Sequence, residues 1–358
     1  MAIRNSRPTY CSRREAIALL GSGLGLGVVG ALRTPAALAA TGQAVFKSVG
    51  KINAPKNAII RTVLKDVSPD ALTSGATLIH EHLGNDVDLM VEELRAAAVE
   101  GLGCLVNAGG GRNEQQVENV RQMAMRSPVH IVQGGGYLQD LGFTKYPPRV
   151  VAMSEEELLE ELVGDAIKYR WGAFGEIGSS LQMQPEERKM LRAIGKAHVR
   201  TGIPIFTHVP HEGCPSCALE QLDVFESVGV NPRSIAIGHL ATIQTVQDPE
   251  MKTHLTIAKR GAFVDFGPLG HQMARSKVPE AEKAKRFKQL VDAGIEDSLL
   301  LTSDMGNPDH YKANWGQGYS SVLVQFVPKL RLIGVKETTI RKVLVDNPRR
   351  FLAFVPKS

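Results

Sequence analysis

The sequence predicts a (β/α)8 barrel of the TIM type, and two observations carry that expectation. Short apolar runs alternate with longer helix-like stretches eight times from Thr77 onward, the number of units such a barrel requires. The runs are also nearly continuous in apolar residues instead of alternating with polar ones. That is the pattern of parallel strands covered on both faces. A doubly wound open sheet is the alternative. The eightfold count and the lack of a Gly-x-Gly-x-x-Gly turn between a strand and a helix argue against it.

In chain order, the strand candidates cover residues 77–82, 104–108, 129–134, 172–177, 204–209, 234–239, 261–266 and 298–304. Helices are expected between and after them, over 88–100, 113–125, 155–169, 186–201, 219–228, 249–259, 279–293 and 322–332. A small strand over 62–67 precedes the barrel, which is expected to fill 62–358. Residues 41–61, with Gly42, Gly50 and Pro55, read as a flexible lead-in.

The first forty residues read as a twin-arginine-like export signal. Arg4, Arg7, Arg13 and Arg14 form a positive segment, an apolar but glycine-rich run of 16–32 follows, and Ala37-Leu38-Ala39 offers small residues for cleavage. A transmembrane anchor is the alternative, but so short and glycine-rich a run spans a bilayer poorly. The expected location is therefore periplasmic or secreted, reached through the twin-arginine machinery, and not integral to a membrane.

Charge excludes a further class. The whole chain carries +5, and the first forty residues hold +4 of it, so the remainder is close to neutral. Bulk charge thus gives no support to a nucleic-acid partner. At 43% hydrophobic and 22% charged residues, the chain has the composition of a globular protein with a sizeable core. Of its four cysteines, Cys214 and Cys217 are spaced to staple a local loop in an oxidising compartment.

His80 and His82 stand two apart at the end of the first barrel strand, so their imidazoles share one face while Glu81 points the other way. Alone, His-x-His is a weak signal. Further strands end on residues of the same chemistry: Glu176 on the fourth, His208 on the fifth, His239 on the sixth and Asp304 on the eighth. In a β/α barrel these C-terminal ends converge on one mouth, where active sites lie. Each residue has a plain structural reading, such as a helix cap for Asp304 or a backbone-bonded core imidazole for His208. Taken together, six such groups at one mouth without cations would cost several kcal/mol in desolvation. Divalent metals offset that cost.

This set resembles the phosphotriesterase family of the amidohydrolase superfamily. The motifs are Gly75-x-Thr77-Leu78-x-His80-Glu81-His82-Leu83, Gly175-Glu176-Ile177-Gly178, Thr207-His208, Gly238-His239, Ser303-Asp304 and Asn347-Pro348-x-Arg350-Phe351. Gly111-Arg112-Asn113 and Tyr137-Leu138-Gln139-Asp140 are similar to the phosphotriesterase-homology branch. The likeness covers about residues 62–355. It implies two divalent ions, commonly zinc, bridged by hydroxide. His80, His82 and Asp304 would hold the more buried ion, His208 and His239 the more exposed one, and Glu176 would bridge both. The best-known members place a carboxylated lysine at the bridge, and Glu supplies the same charge and two oxygens over a shorter reach.

The implied chemistry is hydrolysis of a small ester, lactone or phosphotriester, with hydroxide as the nucleophile and Asp304 as the catalytic proton acceptor. No Gly-x-Ser-x-Gly elbow is present. The chain departs from the family after His239, where Leu240-Ala241-Thr242 lacks the Asp of a familiar proton relay. Lactone or carboxyl-ester cleavage is therefore favoured over phosphotriester cleavage. A metal-dependent DNase of the same superfamily and a metal-loaded binding protein without turnover are the competing functions. A homodimer is expected by analogy.

Around the mouth, the loops over 211–217, 267–279 and 307–319 are the expected specificity walls. Trp315 is expected either to line the pocket or to pack its loop. His211, Glu212, His310 and Tyr311 are candidate proton donors. The acidic run Glu155–Glu157 with Glu160 and Glu161, and the basic run Lys283, Lys285, Arg286 and Lys288, read as solvated helix faces.

Overall fold

The computed structural model describes residues 45–357 except 110, 142 and 272–275. The expected export signal lies outside the described residues. The expected strand over 62–67 is instead split into an antiparallel hairpin of β1 (Ile60–Arg61) and β2 (Asp66–Val67). The Thr62 amide and hydroxyl both donate to Lys65 O across its turn. That local side-chain bond competes with the ladder and ends the first strand early.

Eight parallel strands follow, paired in sequence order: β3 (Ala76–Glu81), β4 (Leu102–Asn107), β5 (His130–Gly135), β6 (Ala173–Gly178), β7 (Ile205–His208), β8 (Ile235–Ile237), β9 (Phe263–Phe266) and β10 (Leu299–Leu301). The first and last strands meet just beyond their ends. There Asp304 N donates to His80 O at 3.0 Å and His82 N donates to Met305 O at 2.6 Å. The barrel is thus nearly closed, and all eight strand expectations correspond to observed strands. β8 and β10 stop short of their predicted ends, so His239 and Asp304 sit on the turns that follow, both with left-handed φ, 60° and 54°. Such a conformation is strained for a non-glycine residue and marks sites where backbone is forced by function.

Helices pack outside: α1 (Val87–Val99), α2 (Glu114–Arg126), α3 (Pro148–Ala152), α4 (Glu155–Lys168), α5 (Pro185–Thr201), α6 (Pro215–Ser227), α7 (Lys252–Lys259) and α8 (Glu280–Asp292). Their starts follow from local chemistry. Asp86 and Asn113 accept backbone N–H bonds at the heads of α1 and α2, and Ser154 with Glu157 forms a capping box on α4. The helix expected over 322–332 is a π turn (Val322–Phe326) running into α9 (Val327–Leu332). Pro328 explains it: its ring clashes with an α-helical carbonyl one turn back and it donates no N–H, so the turn widens. Among the described residues, no helix is long and apolar enough to cross a membrane.

The larger buried cluster lies between sheet and helices, with Leu78, Leu105, Ile131, Phe174, Ile205, Ile237, Val264 and Leu301 among its members. A second cluster, including Ile60, Ile79, Val106, Val132, Phe206, Leu300 and Phe351, joins the strands to the hairpin and the C-terminal segment.

Three surface expectations fail. Lys283 and Arg286 are buried. Lys283 Nζ donates to Pro268 O at 2.8 Å and Arg286 donates to Thr245 Oγ1 at 2.9 Å, fastening α8 to the loops above the sheet. Glu161 is not a solvated carboxylate either: the Arg149 guanidinium, with Tyr137 and Arg112, holds it down to about 2. A run of charges on a helix does not say which turn of it meets a loop. Trp315 neither lines the site nor packs its loop, since it is 91% exposed.

Candidate metal centre

All six predicted site residues come together at the C-terminal mouth. Glu176, on β6, lies at the centre. Its Oε2 is 2.9 Å from both His80 Nε2 and His208 Nδ1, and its Oε1 is 3.3 Å from His82 Nε2. Asp304 closes the other side, with Oδ1 3.0 Å from His82 Nε2 and Oδ2 3.5 Å from His239 Nε2. Close strand approach helps to place these groups. A Cβ on Gly238 would lie 1.9 Å from Thr207 O, so only glycine lets β7 and the turn carrying His239 pack this tightly.

His211, expected only as a proton donor, joins the cluster from the loop after β7. Its Nε2 is 3.1 Å from Asp304 Oδ2. Glu212, His310 and Tyr311 are in none of the ligand groups found among the described residues. His310 instead packs against His271, ring centroids 4.6 Å apart, and His271 Nε2 lies 2.6 Å from Ser303 O.

Three sets of side chains hold donor atoms within 4.8 Å of one another: His80, His82 and Asp304; His80, Glu176 and His239; and His208, His211 and His239. These residues fit a divalent metal. The donors are imidazole nitrogens and carboxylate oxygens, the chemistry zinc and its neighbours take. His239 is fully buried, yet neither of its ring nitrogens has a hydrogen-bond partner. A buried polar group without a partner is costly and calls for an explanation, and a cation between the rings supplies one.

Electrostatics point the same way. Burial opposes the charged forms of Glu176 and Asp304, but the surrounding imidazoles outweigh it and hold both carboxyls well below their usual range. Conversely, against burial, Glu176 and its neighbouring acids lift His80 well above normal and His208 to about 9. His239 goes the other way. Burial, and then the charges of His208 and His211, push it well down, leaving a neutral ring free to ligate.

Sequence reasoning missed the groups behind this shell. Asp265, fully buried on β9, has Oδ2 3.5 Å from His80 Nδ1. Asp140, in the loop after β5, has Oδ2 3.3 Å from His208 Nε2. Glu81 points away from the mouth, as strand alternation predicts, and becomes the clasp between first and last strands. Its carboxylate accepts from Thr302 Oγ1 at 3.0 Å, from Ser303 N and Met305 N at 2.9 Å, and from Ser303 Oγ. Burial lifts its carboxyl to about 7 against the pull of those donors.

A cleft of about 240 Å³ opens beside His82, lined by Asn85, Asn107, Gln116 and Asn119 with Gly84 and Gly109. The larger cleft, about 660 Å³, lies near the opposite ends of the strands, among Arg233, Phe263, Asp297 and Arg350, and holds none of the ligand groups. Barrel chemistry belongs to the C-terminal mouth, so size does not decide between them. Cys214 and Cys217 form a disulfide at the head of α6, three residues beyond His211.

Comparison with known proteins accords with this geometry. The phosphotriesterase family model matches residues 59–352. N-acetyltaurine hydrolase of Mus musculus is 27% identical over 285 residues, which cover 76% of this chain and 79% of that protein. Phosphotriesterase homology protein of Escherichia coli (strain K12) is 29% identical over 302 residues, covering 78% and 98% respectively. The crystal structure of the E. coli protein, with phosphate in its active site, superposes with a TM-score of 0.69 at 26% identity, over 78% of this chain and 98% of that one. The chain belongs to the phosphotriesterase family, a family of hydrolases.

Proposed function

We propose that this chain is a two-metal hydrolase, with zinc the expected ion, cleaving the carboxyl bond of a small ester, lactone or amide. The carrying observation is the meeting of His80, His82, Glu176, His208, His239 and Asp304 around one buried space. Amide cleavage enters beside the ester and lactone expectation because a relative is an N-acetyltaurine hydrolase. A phosphotriester is the less favoured substrate, since the run Leu240-Ala241-Thr242 after His239 lacks the Asp of the family's proton relay.

His80, His82 and Asp304 would hold one ion, His208 and His239 the other, and Glu176 both. Such ions supply hydroxide near neutral pH and polarise the substrate's oxygen. The protein's own part is placement and proton handling. Glu176 sets the spacing between the two halves through its two oxygens. Asp304 accepts the proton released on attack, and His211, 3.1 Å away, is within reach to pass it to the leaving group. This route replaces the missing Asp and matters most for amides, whose leaving nitrogen must be protonated. The cleft beside His82 has room for a small substrate and is lined by uncharged amides. We also infer export, which the disulfide supports because such bonds persist in oxidising compartments.

The test is a hydrolysis panel on the zinc-reconstituted protein with Glu176→Ala as control. It spans lactones, aryl esters, N-acyl amines and a chromogenic phosphotriester. Turnover of a carboxyl substrate that falls at least about 10³-fold in the control is the expected result. Bound metal with no turnover of any substrate would favour the binding-protein alternative.

A further inference from the structure

The two nitrogens of His208 face different carboxylates. Nδ1 points inward, 2.9 Å from Glu176 Oε2, the same oxygen that meets His80 Nε2. Nε2 points outward, 3.3 Å from Asp140 Oδ2, and both side chains are nearly fully buried. A neutral imidazole that ligates through one nitrogen carries its proton on the other, and that N–H needs an acceptor. Asp140 stands in that place. It lies outside the expected ligand set, and its loop is built to hold it still. Asp140 N donates to Thr144 O at 3.2 Å, Thr144 N returns to Asp140 O at 2.7 Å, and Leu141 N donates to Ser180 Oγ at 2.9 Å. Preceding it, Gln139 is fastened to Glu187 at 3.1 Å and to Tyr146 N at 2.9 Å. On the opposite side of Glu176, Asp265 stands behind His80 in the same manner, at 3.5 Å. The two imidazoles that share Glu176 Oε2 therefore each have a carboxylate at their back.

We propose that Asp140 is a positioning residue: it fixes His208 as the tautomer with its proton on Nε2, leaving Nδ1 to ligate the more exposed metal ion. The inference rests on the metal-hydrolase reading above. It makes the two halves of the site separable, because Asp140 touches the half held by His208 while Asp265 serves His80.

The experiment measures zinc stoichiometry and affinity by chelator competition on wild type, Asp140→Asn and Asp140→Glu, beside the thermal midpoint of each metal-free protein. An Asn can turn its amide –NH2 toward Nε2 and favour the wrong tautomer. Asp140→Asn is expected to keep one tightly held ion and to hold the second about 10- to 100-fold more weakly, with the metal-free midpoint near that of wild type. Asp140→Glu, which keeps an acceptor, should recover part of the loss. In 15N spectra of zinc-loaded wild type, the His208 proton should sit on Nε2. Two ions bound within twofold of wild-type affinity in both variants would overturn the assignment and leave the hydrolase reading standing, as would a His208 proton on Nδ1. A wild-type protein that binds no zinc would overturn both. If Asp140→Asn does not fold, the affinity of the Glu variant and the tautomer of wild type decide the matter.

Discussion

Replacing Glu81 by Gln tests how the barrel mouth is held shut. The substitution keeps size and shape but exchanges one acceptor oxygen for an –NH2 donor. The four hydrogen bonds that reach Glu81 all come from donors, two per oxygen: Thr302 Oγ1 and Ser303 N on one, Ser303 Oγ and Met305 N on the other. Whichever way the Gln amide turns, its –NH2 faces one hydroxyl and one backbone N–H. The hydroxyl can rotate to another acceptor, whereas the backbone N–H cannot and is left buried without one, at about 1–3 kcal/mol. The other lost bond was charge-assisted and adds about 1 kcal/mol, while relief from burying a charge offsets part of the sum. A net loss of about 2 kcal/mol follows. The measurement is urea unfolding of the metal-free protein at pH 8, above the value of about 7 at which Glu81 ionises. Because Ser303 and Met305 flank Asp304, zinc affinity should fall together with stability. A stability within about 0.5 kcal/mol of wild type, the ordinary range for inconsequential substitutions, would refute the clasp.

Two further outcomes are expected. Metal-free protein should lose stability as pH rises from about 6.5 to 9: the folded His208 value, about 9, lies above its ordinary 6.5, so its contribution is fully present below 6.5 and gone above 9. The change is on the order of 1–3 kcal/mol, and denaturant titrations across that range with and without zinc should show the slope only in the metal-free form. Replacing both Cys214 and Cys217 by Ala should cost at most about 2 kcal/mol, because the bridge closes a very short loop, and urea unfolding of the double variant against wild type measures it.

The sequence made the strands legible because their apolar runs are buried on both faces, and the ligand set legible because each member stands at or just past a strand end. Burial of that kind leaves a composition signal. Of the two carboxylates behind the imidazoles, Asp140 leaves none. Asp140 sits in a loop that reaches the site only after folding, and nothing in Gln139-Asp140-Leu141 says that its carboxylate will meet an imidazole 68 residues later in the chain. Asp265 was visible as a polar residue inside an apolar strand, a signal that a buried partner awaits it. Lys283 and Arg286 were misread for the converse reason: amphipathic periodicity cannot tell a charge facing solvent from one that reaches a loop carbonyl above the sheet.

The shifts at the mouth follow from a single charge balance. Glu176, Asp304, Asp140 and Asp265 place four carboxyl groups around a few imidazoles, with no Lys or Arg among the site contacts described. Without metal the nearest available positive charge is a proton on an imidazole, which is why His80, His82 and His208 are lifted although burial alone would depress them. His239, facing other imidazoles and farther from the acids, cannot share in this and is depressed instead. Two divalent ions would bring four positive charges, match the carboxyl groups and release the imidazole protons as they bind. Proton and metal thus compete for the same nitrogens. The raised values of the metal-free site describe the space a cation is built to fill, and the pH-dependent stability expected of the metal-free protein is the thermodynamic expression of that competition.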